Sequence, residues 1–379
     1  MRSLRRLLTL TRVHVLTAGF TSPNGCAFLF PLIVHRQALA DCGIEITLFT
    51  DDSDRAAVGD CDVLILDSKF YSPRWVTESD AVLERIAVLA EAAPKLFYFD
   101  ITDSSGWDHA RALPMVTAYF KNQLLRDRTR YLGPLYGYRP YADYYHRHNG
   151  VTDDQDERSE PIASPALLAK LNVGWNSGLA DYAWFGPLRM AAFRHLAVPA
   201  LLKTSQRWVP AERPRRRGFT CRIGTGYARH SVAWQRRAIR ERLAARLSTD
   251  KLGRRAYLRE LAESRIVISP FGLGEITLRD FEIFVAGALA LKPDMSHMET
   301  WPDLFRDGET IATHRWDLSD LEEKIEVLSA NDARRVAMAQ AAQTAYRRHL
   351  DGEEAARLFV ERFAAILKVG ERPEPAVAE

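Results

Sequence analysis

The stretch Ser264–Trp301, SRIVISPFGLGEITLRDFEIFVAGALALKPDMSHMETW, contains the clearest structural pattern in the chain. Its apolar start, Arg265–Ser269, predicts a buried strand, and a loop with two glycines follows. The apolar spacing of Leu278–Ala286 predicts a helix that ends at the next glycine, and Ala288–Leu291 predicts a second strand. A strand, a loop, a helix and a strand in this order indicate one unit of a parallel α/β sheet.

The junction between this loop and its helix has the composition of an anion site. Gly272 and Gly274 allow a ligand to approach the backbone closely, and a helix that begins near Thr277 offers unpaired N–H groups. Arg279 can hold a phosphate through two hydrogen bonds. Glu282 lies on the same helix face, and its carboxylate can accept from both ribose hydroxyls. We predict that these five residues bind a nucleotide, and the alternative is a capped helix with a surface Arg–Glu pair.

The alternation of strands and helices continues outward from this stretch in both directions. Strands are predicted at 12–17, 44–49, 62–66 and 95–99, with helices between them, and again at 218–223. Apolar strands separated by helices indicate parallel sheets that are covered on both faces. The 379 residues exceed what one hydrophobic core usually supports. We therefore predict two doubly wound α/β domains with a ligand cleft at the carboxyl ends of their strands.

The predicted domain limits follow from composition. The segment 199–218 contains several prolines and arginines and is the predicted linker. The first domain then spans residues 1–205, and the second spans 206–350 and contains the predicted nucleotide contacts. Residues 351–379 form a helix, predicted at Glu353–Leu367, and a disordered tail. The apolar stripe of this helix needs a partner, and we expect it to return to the first domain.

A second candidate anion site follows the strand predicted at 218–223, in the sequence RIGTGYAR. Its glycines permit a tight turn beside a ligand. Arg222, Tyr227 and Arg229 can hold a diphosphate or stack on a base, so we predict them as further nucleotide contacts. The alternative is a basic turn that leads into the next helix.

Two carboxylates follow the strand predicted at 95–99, in the sequence FDITDSSGW. The carboxyl end of a strand in such a sheet lies at the cleft. Asp100 or Asp103 can therefore act as a general base or hold an acceptor hydroxyl. The alternative is that Asp103 caps a helix.

Composition and charge argue against several classes of protein. Hydrophobic residues make up 47% of the chain and charged residues 27%, an ordinary mixture for a globular protein. The net charge of +3 does not indicate a nucleic-acid partner. The four cysteines form no CxxC pair and fit no zinc spacing, so we expect reduced thiols and a cytoplasmic location.

The N-terminal sequence MRSLRRLLTLTRVHVL begins like a signal peptide, but Arg12 interrupts its apolar run and no cleavage site follows. No run of about 20 apolar residues is present, so we expect no transmembrane helix. The arginines and leucines at residues 2–8 are a candidate for peripheral contact with the inner membrane. The alternative for this segment is a frayed terminus.

The stretch quoted first resembles the donor-binding motif of GT-B glycosyltransferases, especially the bacterial families with a C-terminal "glycosyl transferases group 1" domain. Their pattern is a strand, a glycine-containing loop, and a helix whose glutamate is followed five residues later by glycine and a short strand, which Glu282, Gly287 and Ala288–Leu291 match. The resemblance implies two Rossmann-like domains that face a cleft, with the acceptor held by the first, 1–205, and the donor by the second, 206–350. It also implies an enzyme whose donor substrate is a nucleotide-diphosphate sugar, with no further cofactor and no bound metal.

One position departs from the family's pattern. Many retaining members have two glutamates separated by seven residues, and the earlier position here is Gly274, with Glu275 one place later. An arginine three residues before the second glutamate, here Arg279, is more similar to exostosin-type and spore-coat-type relatives. Glu275 is therefore a third candidate catalytic residue beside Asp100 and Asp103.

These patterns favour a glycosyltransferase that moves a sugar to a glycan or lipid-linked acceptor in bacterial surface polysaccharide assembly. A catalytically inactive partner that binds nucleotide sugar or glycan is the alternative, because the displaced Glu275 is the kind of change that an inactive copy shows. A dehydrogenase is disfavoured, because no GxGxxG motif follows the first predicted strand.

Overall fold

The computed structural model describes residues 10–72, 74–180 and 207–370, together with residues 189, 192, 193, 196, 198, 201, 202 and 204. A six-stranded sheet, called the first sheet, has the order β2-β1-β3-β4-β5-β7, and all its neighbours pair in parallel. Its strands are β1 Thr11–Leu16, β2 Ile44–Phe49, β3 Val63–Asp67, β4 Leu96–Asp100, β5 Ala118–Lys121 and β7 Leu171–Val173. The order reverses between β1 and β3, which is where ligands bind in such sheets.

Helices cover this sheet on both faces. The α-helices are α1 Pro23–Val34, α2 Arg36–Ala40, α3 Arg55–Gly59, α4 Arg74–Thr77, α5 Ser79–Ala92 and α6 Pro140–Asn149. Short 3-10 helices lie at Ala110–Ala112, Arg128–Leu132, Pro165–Lys170 and Ser177–Leu179. The strands β3 and β4 are buried along their whole length, and each is apolar up to its final aspartate because both of its faces are covered.

A four-stranded parallel sheet, called the second sheet, has the order β12-β10-β9-β8. Its strands are β8 Arg217–Thr220, β9 Ser264–Ile268, β10 Leu289–Pro293 and β12 Ala312–His314. The helices that belong to it are α7 His230–Leu243, α8 Arg254–Glu263, α9 Leu278–Val285, α10 Leu321–Ala330 and α11 Asp332–Leu350. Helix α6 also packs here, since its Tyr141 and Tyr145 are buried in the same hydrophobic cluster as Phe271 and Phe281.

Two short strands join the two sheet systems directly. β6, Gln123–Leu125, pairs antiparallel with β11, Met298–Thr300, and Leu124 lies opposite Glu299. The guanidinium of Arg128 contacts the Glu299 carboxylate beside this pair. Backbone hydrogen bonds therefore cross from one half of the chain to the other.

The last described helix, α12 Gly352–Leu367, packs on the first sheet. Phe359, Phe363 and Ile366 are buried there against strand residues that include Val13. The first described strand and the last described helix therefore belong to the same layer system, although the helix follows the second sheet in the chain.

The predicted fold class is confirmed: both halves are α/β, with parallel sheets and helices on their faces. Strand 44–49 was predicted to its limits, and the helix predicted at Glu353–Leu367 begins one residue earlier. The predicted domain limits remain a prediction. Residues 1–9 and 371–379, with the candidate membrane segment and most of the predicted tail, lie outside the described residues, as do parts of the predicted linker.

Among the described helices, none combines the length and the apolar character that a membrane span requires. All four cysteines are described, and each is a free thiol. Cys26, Cys61 and Cys221 are buried, where a thiol packs as a small apolar group.

Candidate functional site

A cavity of about 870 Å³ lies between the two sheets. The first-sheet side contributes the residues that start α1 and others that follow β3 and β4, namely Ser22, Pro23, Asn24, Lys69 and Asp103. The second-sheet side contributes the loop after β9 and the start of α9. This volume lies within the range of about 300–1,000 Å³ that is typical of small-molecule sites.

A buried ion pair fixes the start of α9 at the cavity wall. Asp280 accepts hydrogen bonds from the backbone N–H of Thr277 at 2.8 Å and from the Ser269 hydroxyl at 2.7 Å. Both of its carboxylate oxygens lie 2.8 Å from Nζ of Lys292. The strand end, the helix start and the next strand are thereby held by one carboxylate, which explains why the N-terminus of α9 keeps a defined direction.

Arg279 lies in the first turn of α9 and lines the cavity. Its Nε atom is buried and has no hydrogen-bond partner. A donor without a partner is costly in a buried place, and a bound anion would satisfy it. The N-terminus of the helix has a partial positive charge that favours the same ligand.

Glu282 lines the cavity one turn further along α9 and is only 9% exposed. Burial raises the pKa of this carboxyl, although the charges of Arg254 and Arg279 and a hydrogen bond with Tyr257 act in the opposite direction. Oε1 of Glu282 lies 3.4 Å from the Arg254 guanidinium. The carboxylate is therefore held at the wall, with oxygens that can accept from ligand hydroxyls.

Tyr227 also lines the cavity, and a buried arginine supports it. The guanidinium carbon of Arg236 lies 5.0 Å from the centroid of the Tyr227 ring. Nε of Arg236 donates to the carbonyl of Phe271 at 2.6 Å, and burial lowers the pKa of this arginine. Arg236 itself lines the cavity, so it adds a cation that the sequence analysis did not identify.

The two predicted loop glycines are both at the cavity, and one of them is required by packing. The N–H of Gly272 donates to the carbonyl of Gly274 at 2.9 Å, and the Gly272 carbonyl accepts from the Tyr141 hydroxyl at 2.6 Å. A Cβ atom at Gly274 would lie 1.7 Å from the carbonyl oxygen of Asp103. Only glycine lets the loop after β9 approach the loop after β4 this closely.

Asp103 is the predicted carboxylate that reaches the cavity from the first-sheet side. Its Oδ1 accepts a hydrogen bond of 2.9 Å from the side-chain amide of Asn24, which also donates to the carbonyl of Ile101 at 2.8 Å. The amide of Gln123 contacts the Asp103 carbonyl. An exposed carboxylate in a fixed orientation at the cavity can accept a proton from a bound hydroxyl.

Asp100 does not line the cavity. It is fully buried, with Nζ of Lys121 at 2.8 Å and the Tyr119 hydroxyl at 2.7 Å. Burial alone would raise the pKa of this carboxyl, but the Lys121 charge and hydrogen bonds outweigh it and lower the pKa to about 2. This geometry disagrees with a role as a general base, because a carboxylate that strongly prefers its ionised form inside a salt bridge is a poor proton acceptor.

Glu275 is buried behind the cavity wall and joins the two halves. Its carboxylate accepts from the backbone N–H of Ser105 at 3.0 Å and from the Ser105 hydroxyl at 2.6 Å. Nε2 of His297 lies 3.6 Å away. Although burial acts to raise its pKa, the His297 contact and the Ser105 hydrogen bonds lower it overall. This arrangement is that of a brace between the loops after β4 and β9, not of a group that faces a substrate.

Arg222 and Arg229 do not line the cavity either. Arg222 makes a bidentate pair with Glu260, with nitrogen–oxygen distances of 2.8 and 2.7 Å. Arg229 contacts the carboxylate of Glu157. Both arginines already have a carboxylate partner, so of the three residues predicted in RIGTGYAR only Tyr227 is placed to contact a ligand.

Several cavity residues were not predicted as site residues from the sequence: Asn24, Lys69, Arg236, Lys251 and Tyr257. Asn24 immediately precedes a glycine at a helix start after β1, a position that opens on the cleft in this fold. Arg236 belongs to an arginine-rich helix, and from the sequence such a helix can equally well have its arginines exposed to solvent. Among the described residues, no group of three or more His, Cys, Asp and Glu side chains is arranged to hold a metal ion.

Residues 206–361 match a family model that is described as glycosyl transferase-like. This segment is similar to that family of domains. The match confirms the resemblance drawn from Glu282, Gly287 and their neighbours, and with it the prediction of a glycosyltransferase enzyme. No curated protein matches the chain.

Solved structures that are similar to this chain over most of its length include the following three. HepE of Anabaena in complex with UDP-glucose is 10% identical, with 94% of this chain and 99% of that chain covered at a TM-score of 0.44. A glycosyltransferase from Rickettsia africae is 10% identical, with 97% and 100% covered at 0.44. An α-glucosyltransferase in complex with UDP and DNA is 12% identical, with 94% and 99% covered at 0.43.

Proposed function

We propose that this chain transfers a sugar from a nucleotide-diphosphate sugar to a hydroxyl of a glycan or lipid-linked acceptor, without a bound metal ion. The proposal depends on one observation: Arg279, Glu282 and the start of α9 line the same cavity as Asp103. The residues suited to bind a nucleotide and the candidate general base therefore line the same cavity. The same proposal includes a role in bacterial surface polysaccharide assembly, in the cytoplasm and peripherally at the inner membrane.

The charge of the cavity supports an anionic donor. Four basic side chains line it, namely Lys69, Arg236, Lys251 and Arg279, against the two carboxylates of Asp103 and Glu282. The diphosphate would lie at the start of α9, where the helix N–H groups and Arg279 supply fixed positive charge. Because these groups are already in place, they stabilise the leaving diphosphate without reorganisation.

The nucleoside would occupy the remainder of the second-sheet side. Both oxygens of the Glu282 carboxylate are acceptors, which suits the paired hydroxyls of a ribose. Tyr227, supported by Arg236, offers an aromatic ring for the base. These assignments leave the first-sheet side of the cavity, with Asn24 and Asp103, for the acceptor.

In the proposed reaction, the Asp103 carboxylate takes the proton from the acceptor hydroxyl. The hydroxyl oxygen forms a bond to the anomeric carbon, and the bond from this carbon to the diphosphate oxygen breaks. The nucleoside diphosphate leaves with that electron pair. Asn24 orients Asp103 through a hydrogen bond to Oδ1, which leaves Oδ2 for the proton.

The substitution Asp103→Asn tests this assignment, because the amide keeps the shape and the contact with Asn24 but cannot accept the proton. Donor affinity, measured by calorimetry with a panel of nucleotide sugars, should stay within a few-fold of the unmodified protein. Turnover, including donor hydrolysis, should fall by ~10²–10⁴-fold. Asp127→Asn is the matched control, since this exposed carboxylate accepts from Thr129 away from the cavity. Unchanged turnover in Asp103→Asn would show that Asp103 is not the base. If the unmodified protein bound a donor but neither hydrolysed nor transferred it, the chain would instead be the inactive binding partner.

A further inference from the structure

A second cavity, of about 500 Å³, lies at the ends of β10 and β12. Asp294 follows the end of β10, and Arg315 follows the end of β12. β10 is the neighbour of β9, whose following loop lines the first cavity. The two cavities therefore lie along the same carboxyl edge of the second sheet, and the mechanism above uses only the first.

Aromatic rings form one part of the second cavity. Trp316 and Tyr144 both line it, and neither is fully buried. Their ring centroids are 5.4 Å apart and the rings are nearly perpendicular. The ring of His297 lies 4.9 Å from Trp316, again nearly perpendicular. Half-exposed rings that are held rigidly can pack against the C–H face of a sugar while their edges stay in contact with water.

Three carboxylates supply the polar part. Asp294, Asp317 and Asp320 line the cavity, and each accepts a hydrogen bond from a nearby backbone N–H. The distances from these N–H groups are 3.2 Å for Ser296, 2.9 Å for Ser319 and 2.8 Å for Arg315. Asp294 also accepts from the Ser296 hydroxyl at 2.7 Å. A carboxylate has about four acceptor positions, so each one can still accept from ligand hydroxyls.

His314 adds a buried acceptor to the same wall. Its Nδ1 lies 2.8 Å from the carbonyl of Arg315, which can only accept, so Nδ1 has the proton. Burial lowers the pKa of His314 to about 4, which keeps the ring neutral and leaves a lone pair on Nε2. Nε2 has no hydrogen-bond partner, and the residue is 1% exposed. A buried polar atom without a partner is the exception that a bound ligand would explain.

The charge balance separates this cavity from the first one. Three carboxylates stand against Arg315 and Lys324 here, whereas basic groups outnumber acidic ones two to one in the donor cavity. A phosphate-bearing ligand is therefore disfavoured in the second cavity. Acceptor atoms beside aromatic rings, with a slight negative excess, suit a ligand that is uncharged and rich in hydroxyl groups.

We propose that the second cavity binds an uncharged saccharide unit of the acceptor glycan. The claim that this saccharide belongs to the acceptor rests on the proposed function, whereas saccharide binding itself does not. His297 connects the two sites, because it lines the second cavity and lies 3.6 Å from Glu275, whose chain neighbour Gly274 lines the first. A glycan that reaches along this edge would be recognised at one unit and extended at another.

The test uses the full chain on a printed array of neutral and charged oligosaccharides, followed by calorimetry with the best neutral binder. Trp316→Ala removes the ring, and Asp317→Asn removes one charge but keeps the oxygen that accepts from Ser319. We expect Asp317→Asn to bind the glycan at least ~10-fold more weakly, as the loss of a hydrogen bond to a charged group would produce. Trp316→Ala should weaken binding by a similar factor, because the ring that packs against the sugar is lost. Asp127→Asn, which has the same kind of backbone contact elsewhere, should bind the glycan normally.

Donor affinity of the same variants distinguishes the two proposals. Normal nucleotide-sugar binding with weakened glycan binding supports the saccharide site, and it also shows that both variants fold. If no neutral glycan binds, or if Asp317→Asn and Trp316→Ala bind it as the unmodified protein does, the saccharide site is wrong. If glycans bind through this cavity but no nucleotide sugar binds the chain, the proposed transferase function fails and the saccharide site stands.

Discussion

Nζ of Lys292 lies 2.8 Å from both carboxylate oxygens of Asp280, and neither side chain is exposed to solvent. Asp280 also holds the Thr277 N–H and the Ser269 hydroxyl. The pair is therefore the point at which β9, α9 and β10 are tied together beneath the candidate donor site.

Replacement of Lys292 by methionine should destabilise the protein by about 3–5 kcal/mol, because it leaves the buried Asp280 carboxylate without its counter-charge. Urea denaturation measures the free energy of unfolding. As a comparison, Arg306→Met removes an exposed pair with Glu309 and should cost at most about 1 kcal/mol. A cost below 1 kcal/mol for Lys292→Met would show that the pair contributes little.

Gly274→Ala should separate the loops after β9 and β4, because the added Cβ would lie 1.7 Å from the Asp103 carbonyl oxygen. Overpacking of this kind typically costs about 1–3 kcal/mol, and here it also displaces a candidate catalytic carboxylate. We expect a lower melting temperature and a loss of turnover. Gly253→Ala is the control, since an added Cβ there meets nothing within 4 Å. A Gly274→Ala protein with normal stability would mean that the loops separate at no cost.

Arg279→Ala should weaken nucleotide-sugar binding by ~10- to 100-fold, because a hydrogen bond to a charged group contributes about 1.5–3 kcal/mol. Nε has no partner in the unliganded protein, so the substitution removes only the contact with Tyr257 and the charge interaction with Glu282. The free energy of unfolding should therefore change by about 1 kcal/mol or less. Calorimetry measures the donor affinity. Arg255→Ala is the control, because Arg255 is an exposed residue of α8 that does not line the cavity. Equal donor affinity in Arg279→Ala would exclude this residue from the donor site.

The pKa of Glu282 is raised mainly by burial, and this predicts a pH dependence. Contact with ribose hydroxyls uses the ionised carboxylate, so donor affinity should fall as the pH drops through this raised pKa, above the range of an ordinary glutamate. Glu282→Gln should bind every ribonucleotide sugar more weakly at neutral pH and should lack this pH dependence. Because the folded-state pKa exceeds the unfolded value, ionisation of Glu282 opposes folding, so the unliganded Gln variant should be no less stable at neutral pH. Lost turnover at unchanged affinity would instead place Glu282 at the sugar.

Turnover should be similar with EDTA and with added magnesium or manganese. The proposed neutralisation of the diphosphate depends on Arg279, Arg236, Lys251 and the start of α9, which are part of the protein. Initial rates after dialysis against a chelator measure this. Strict dependence on a divalent ion would require a carboxylate site, and Asp103 would be the first candidate.

Local patterns predicted much of the fold, because several strands are rich in apolar or β-branched residues and several helices end at a glycine or proline. The strand at 44–49 and the helix that starts at Leu278 are examples. β5, β6, β7, β11 and β12 were missed because they have three or four residues each, and β6 and β11 form only by pairing across 173 or more positions. No local window contains that information.

The site residues that lie close together in sequence were predicted well. Those whose contacts involve residues far away in the sequence were predicted less well. Gly274, Arg279 and Glu282 lie on one loop and helix, so their joint placement follows from local structure. Arg222 was also a reasonable anion contact, but its partner Glu260 is 38 residues away. Asp100 and Asp103 are only three residues apart in the sequence. Asp100 is the buried one, and it pairs with Lys121 of the neighbouring strand β5, which no local pattern around Asp100 indicates.

The antiparallel pair of β6 and β11 bears on how this protein can be made and dissected. Expression of either half alone would leave one of these strands with unsatisfied backbone groups and an open edge, which is a known route to aggregation or strand exchange. The N-terminal half, produced without α12 (Gly352–Leu367), would in addition expose the apolar surface of the first sheet that α12 covers. Either half, separated at the predicted linker 199–218, is therefore expected to be poorly soluble, and the two halves should be recovered best when they are produced together.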